Sequence, residues 1–216
     1  MPVGNTRFER SVRLGAIVWI CAVQFFVLQA VVQSGWTTRF SLLHNFISDL
    51  GNTTCGPYPR DSGRYVCSPW HAWMNASFVL QGIIIAAGAV LVRGAFPRGI
   101  ARSAGILLLV LGGLGNIAVG LFPENVNILW HSLGAAAILI LGNLGMIPLG
   151  IALGRERRRS AIARDAVFSG AAGLLATGLF ISGHSLGIGV GGMERVSAYA
   201  LPFWLIAAGI SFLSHL

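Results

Sequence analysis

Few side chains in this sequence have types and spacing that could do chemistry, and those few fall near the ends of long apolar runs. His71, His131 and His184, taken with Asp49 or Glu124, supply the neutral imidazoles and the carboxylate that a zinc-type divalent metal needs, three protein ligands leaving one position open for water. Such a centre would hydrolyse or transfer part of a lipid-type substrate, with Asp49 or Glu124 as ligand or general base. Ser48 is a second catalytic candidate, a nucleophile with His44 or His71 as its base, although it lacks a strained strand-to-helix elbow. No two of these residues form a dense local motif of the H-E-x-x-H kind. The competing reading is of separate histidines, each hydrogen-bonded at a membrane interface.

Other polar groups extend the set. Asn75 follows His71 by four residues and Asn127 precedes His131 by four, so each pair would project from one side of its helix. Between Phe40 and Gly51 the apolar residues Phe40, Leu43, Phe46, Ile47 and Leu50 have the spacing of one helical face, which predicts a short amphipathic helix. Its opposite face would carry His44, Asn45, Ser48 and Asp49, either solvated above the headgroups or turned over a bundle mouth as part of a site. Glu194 and Arg195 follow the glycine-rich stretch Gly187–Gly192 and stand just before the last apolar run. They read either as an ion pair holding the bundle end or as a site where the Arg195 fork takes a phosphate or carboxylate headgroup.

The elements that must position these residues are membrane helices. With 55% hydrophobic and 10% charged residues and a mean hydropathy of +0.73, there are too few polar groups to cover a soluble exterior. About 20 apolar residues cross a bilayer as helix, and six runs qualify, at 12–32, 73–92, 103–122, 128–153, 166–187 and 196–213, with one long loop at 33–72. None alternates as barrel strands do. The first run is longer than a signal-peptide core and lacks its cleavage pattern, so it reads as an uncleaved span. The expected fold is an all-α, six-helix polytopic membrane bundle, a single membrane domain over residues 1–216.

Charge gives the orientation. The chain carries fifteen arginines, no lysine and a net charge of +8, but the arginines sit between apolar runs rather than on one soluble basic face, which argues against a nucleic-acid partner. Arg7, Arg10, Arg13, Arg93, Arg98, Arg102, Arg155, Arg157, Arg158, Arg159 and Arg164 fall on one side of the expected topology; only Arg39, Arg60, Arg64 and Arg195 fall on the other. Positive residues stay in the cytoplasm, so both termini are expected there and the long loop outside. Cys55 and Cys67 lie in that loop, where an oxidising compartment would join them as a disulfide; Cys21, inside the first span, reads as a small apolar filler. The arginine-for-lysine composition suggests a bacterial inner membrane. The expected partners are the lipid bilayer and either a lipid substrate or a membrane-protein partner.

This topology gathers His44, His71, His131 and His184 at the outer end, leaving only His215 opposite. No charge lies near the middle of a span; the polar groups there are Gln24, Gln81, Asn143 and Thr177, which more often tie helices together than carry ions. Ion-coupled transport is therefore disfavoured. Trp70-His71 recurs as Trp130-His131, a weak echo between the second and fourth spans.

Three ordered motifs carry a family likeness: Asn45-x-x-Ser48-Asp49-Leu50-Gly51; Gly120-Leu121-Phe122-Pro123-Glu124 with His131 seven residues on; and Gly192-Met193-Glu194-Arg195 followed by Tyr199 and Trp204. Together they resemble a bacterial integral-membrane family called domain of unknown function 998. The resemblance runs from about the first span to the sixth and implies a helical membrane protein without an assigned reaction.

Overall fold

The structure is a computed structural model that describes residues 6–59, 64–154 and 160–215. Arg60 and Arg155, Arg157, Arg158 and Arg159, which entered the sidedness argument, lie outside the described residues. Among the described residues six helices are long and apolar enough to cross a membrane: α1 (Arg7–Ser34), α2 (His71–Ala95), α3 (Ile100–Leu121), α4 (Ile128–Leu153), α5 (Ser160–Ile181) and α6 (Val190–Leu213). The expected all-α bundle is therefore what the chain forms. Short joints link α2 to α3 and α3 to α4, and an even number of spans brings residues 6 and 215 to the same end.

Span boundaries depart from the hydropathy reading where charges begin a helix. Helix α5 starts at Ser160, not 166, because Arg164 and Asp165 belong to its first turns. Helix α6 starts at Val190, not 196, so Glu194 and Arg195 lie inside the helix rather than in the loop before it. A run cut at its first charge loses that turn. His184 falls outside α5, in the joint between α5 and α6.

Close helix approach holds the bundle. A Cβ on Gly113 of α3 would lie 2.7 Å from the Gly82 carbonyl oxygen of α2, so backbone meets backbone there. Gly88 of α2 leaves room for the indole of Trp19, which packs on Trp204 and Phe212 of α6 at ring-centroid distances of 5.5 and 6.1 Å. The mid-span amides tie helices as expected. Gln24 donates to the Gln81 side chain and accepts from Ser77, Asn143 donates to the Ser197 carbonyl, and Thr177 bonds Ser197.

Two irregularities shape one end. Helix α4 contains a π turn at Ala137–Gly142, between α-helical pieces Ile128–Ala136 and Asn143–Leu153. The second piece packs along α5, whereas the first leans on α3 and leaves the outer part of α5 almost untouched. At Gly178, in that outer part, an added Cβ would meet nothing. The second irregularity is the segment 41–51, which folds inward over the bundle end as a plug.

The plug corrects the amphipathic-helix reading of residues 40–51. Only Ser48–Gly51 is helical, as one 3₁₀ turn, and residues of both expected faces turn inward. Asn45, Ser48 and Asp49 are buried together with Ile47 and Leu50, while Leu43 is half exposed and His44 is exposed. Asn45, Ser48 and Asp49 thus turn over the bundle mouth, the second of the two expectations for this face, because polar groups from other segments wait inside to receive them and the plug's backbone. Further along the long loop β1 (Gly56–Pro57) pairs antiparallel with β2 (Tyr65–Val66), beside the expected Cys55–Cys67 disulfide.

Candidate functional site

Three charged side chains fasten the plug. Asp49, fully buried, accepts from Asn45 Nδ2, from the Phe46 N–H and from Arg64, whose Nη2 lies 2.6 Å from Oδ1 and whose Nε lies 2.9 Å from Oδ2. This two-pronged fork is the strong geometry for an arginine and a carboxylate. Arg195 Nη1 donates to the carbonyls of Leu42, Asn45 and Gly191. Glu194 accepts from the Ile47 N–H at 2.6 Å. Consecutive helix residues point about 100° apart, so Glu194 and Arg195 serve different backbone groups and do not form the expected ion pair; among the described residues neither takes part in a salt bridge.

What remains facing inward is a small polar cluster. Ser48 Oγ donates to Glu124 Oε2 at 2.9 Å. Glu124 is 6% exposed, and its Oε1, 4.0 Å from Arg64 Nη2, is buried without a donor. Burial first, then the adjacent Asp49 charge and a hydrogen bond to it, push the Glu124 carboxyl up to about 8, against the opposing effects of Ser48 and Arg64. Two carboxyl groups cannot bond one another without a proton, and Glu124, raised to about 8, keeps one at neutral pH. Burial of the Tyr58 hydroxyl, which donates to the Glu124 carbonyl, raises that group to about 12, with the Glu124 charge adding to the effect. Arg64 loses by burial but gains more from the hydrogen bonds and charge of Asp49, and stays above its ordinary value.

His131 is buried one turn into α4, with Nδ1 3.0 Å from the Phe122 carbonyl oxygen. A carbonyl only accepts, so Nδ1 carries the proton and Nε2 the lone pair. Ser48, Glu124, Glu194 and His131 border a cleft of about 310 Å³ whose other walls are Ser132, Ala135 and Ala136 of α4 and Thr177, Phe180 and Ile181 of α5. Ile128 and Ile181 at its margins are mostly exposed. The cleft opens sideways, between two spans, where the π turn lets them part. From beside Ser48, Glu194 and His131 a narrower cavity of about 60 Å³ continues into the bundle, past Phe25, Phe78, Gln81 and Asn116.

The other candidates stand elsewhere. His71 opens α2 with Nδ1 on the Ser68 carbonyl, and His184 is exposed with Nδ1 beside Ser182 Oγ. His44 is exposed on the outside of the plug, and Asn75 donates to the Gly51 carbonyl. Histidines 71, 131 and 184 are therefore not brought together. Among the described residues no group of three or more histidines, cysteines or acids is arranged to hold a metal ion. Sequence reasoning missed Arg64, Tyr58 and Gln81 as members of the site. The only signal for Arg64 was its place on the arginine-poor side; for Gln81 it was an amide in mid-span.

A family model described as a protein of unknown function (DUF998) matches residues 19–211, a stretch that includes every residue of the cluster. No curated protein and no solved structure matches.

Proposed function

The chain belongs to the DUF998 family of proteins of unknown function, and from that membership and the site's geometry we propose that it binds a membrane amphiphile sideways from the bilayer. The chain of the ligand lies between the outer parts of α4 and α5, and its polar group meets Ser48, Glu124, Glu194 and His131. The observation that carries this reading is the lateral cleft itself, apolar at its membrane-facing margin and acidic at its inner end. A soluble ligand would not need the sideways opening, and a purely structural cluster would not need the space. The plug end faces the outside of a plasma membrane, with both termini in the cytoplasm; the Cys55–Cys67 disulfide and the surplus of arginines at the opposite end support this orientation.

Extraction and mass spectrometry of lipid retained by the purified protein tests the proposal. Ala136→Trp fills the cleft from α4, and the account expects the retained amphiphile to be lost while helix content and melting stay close to wild type. Equal lipid on both proteins would refute it. A second reading, hydrolysis of a bound ester, is favoured by one contact, the hydroxyl of Ser48 held on the Glu124 carboxyl. A fluorophosphonate probe that labels wild type but not Ser48→Ala would support it, and absence of labelling on a lipid-loaded protein would remove it.

A further inference from the structure

The inner end of the cleft is unusual in the balance of its hydrogen-bonding groups. The Glu194 carboxyl and His131 Nε2 are acceptors, and both residues line the cleft and the cavity behind it. Arg64 forks onto Asp49 and stacks over the Phe46 ring at 4.1 Å, and Arg195 is buried with Nη1 on three carbonyls, its Nε and Nη2 having no hydrogen-bond partner among the described residues. Among the described residues no arginine borders the cleft or the cavity behind it.

One donor is held ready in the deeper cavity. Gln24 Nε2 reaches the Ser77 carbonyl, which only accepts, so the Gln24 amide is oriented, and its Nε2 also donates to Gln81 Oε1 at 3.1 Å. That fixes the Gln81 amide in turn. Gln81 is 2% exposed, it lines the cavity, and its Nε2 has no partner. A buried amide donor left without an acceptor costs roughly 1–3 kcal/mol, so its orientation points to a ligand group that accepts there.

We infer that the site selects an uncharged, hydroxyl-bearing headgroup and rejects one bearing a phosphate. This rests on the amphiphile reading above and names the headgroup it would take. A hydroxyl donates to the carboxyl and imidazole acceptors and accepts from Gln81 Nε2. A phosphate at neutral pH donates little, brings negative charge beside the buried Glu194 carboxyl, and meets no described arginine on the walls of either space. The cavity of about 60 Å³ suits a terminal hydroxymethyl group.

Two chain-matched probes separate the cases: monooleoylglycerol, and oleoyl lysophosphatidic acid, which differs by the phosphate. Affinities are measured by native mass spectrometry of the full chain released from detergent. Monooleoylglycerol is expected to bind at least tenfold more tightly. Gln81→Leu should weaken it about fivefold, the value of one neutral hydrogen bond, and leave the phosphate-bearing probe unchanged; Gln81→Met serves if the leucine variant does not fold. Ser132→Arg, at an exposed position on the cleft wall, should raise affinity for lysophosphatidic acid. Equal binding, preference for the phosphate, or Gln81 variants that bind both probes like wild type would overturn the inference. Absence of binding by either probe, together with lipid retention unaffected by Ala136→Trp, would instead overturn the amphiphile reading beneath it.

Discussion

Arg64 holds the buried Asp49 carboxylate through both Nε and Nη2, and the same guanidinium stands 4.0 Å from Glu124, whose carboxyl must keep its proton to lie beside Asp49. One cation thus supports one charge, and the second acid is held neutral at the cleft's inner end. The plug, the hairpin and the joint between α3 and α4 meet in this arrangement.

Removing the fork should loosen the plug. Arg64→Ala leaves Asp49 fully buried with only amide donors, a loss on the order of 2–4 kcal/mol once partial solvent access at Arg64 is allowed for. Melting in detergent should fall accordingly, and limited proteolysis should cut within 41–59. The double variant Arg64→Ala with Asp49→Asn should recover part of the loss, because no unpaired charge then remains. A double variant no better than Arg64→Ala alone would contradict the assignment.

Glu124 gives stability a pH dependence whose sign is fixed. Its carboxyl titrates near 8 in the fold and near 4.5 when unfolded, so the folded state binds the proton more tightly. Stability is therefore greatest below about pH 4.5 as far as this group is concerned, and it declines as pH rises towards 8. Glu124→Gln, which keeps a neutral hydrogen-bonding group, should flatten melting temperature against pH between 5 and 8. A wild-type profile that rises across this window, or a variant with an unchanged slope, would count against a neutral Glu124.

Close packing between α2 and α3 should be sensitive at one glycine and indifferent at another. Gly82→Ala drives a methyl into the Gly113 carbonyl oxygen, whereas Gly178→Ala meets open space. The first should lower stability by about 1–3 kcal/mol, and the second should leave melting unchanged. Equal effects would mean that α2 and α3 are not in this register.

How much of this was legible in the sequence follows from what hydropathy and sidedness can register. The six spans, the disulfide and the gathering of Ser48, Asp49, Glu124 and His131 at one end all follow from long apolar runs and the unequal placement of arginine. The starts of α5 and α6 did not, because Arg164, Asp165, Glu194 and Arg195 are helical residues that a hydropathy window reads as loop. The plug is not the helix its apolar spacing suggested, and only tertiary contacts with Arg64, Glu194 and Arg195 decide that its polar residues turn over the bundle mouth rather than toward solvent. Type and end alone could not separate His131, which enters the cleft, from His71 and His184, which do not. The π turn that opens the cleft leaves no mark in the apolar sequence Ala137–Gly142.

The central claim is a sideways entry between α4 and α5, and photocrosslinking locates it most directly. A monoacylglycerol with a diazirine in its chain is added to the protein in membranes, irradiated, and the modified peptides are sequenced. The account expects labels concentrated on Ile128–Ala136 and on residues 177–181, and suppressed by Ala136→Trp. Labels spread evenly over lipid-facing residues of all six spans, unchanged by that substitution, would contradict it.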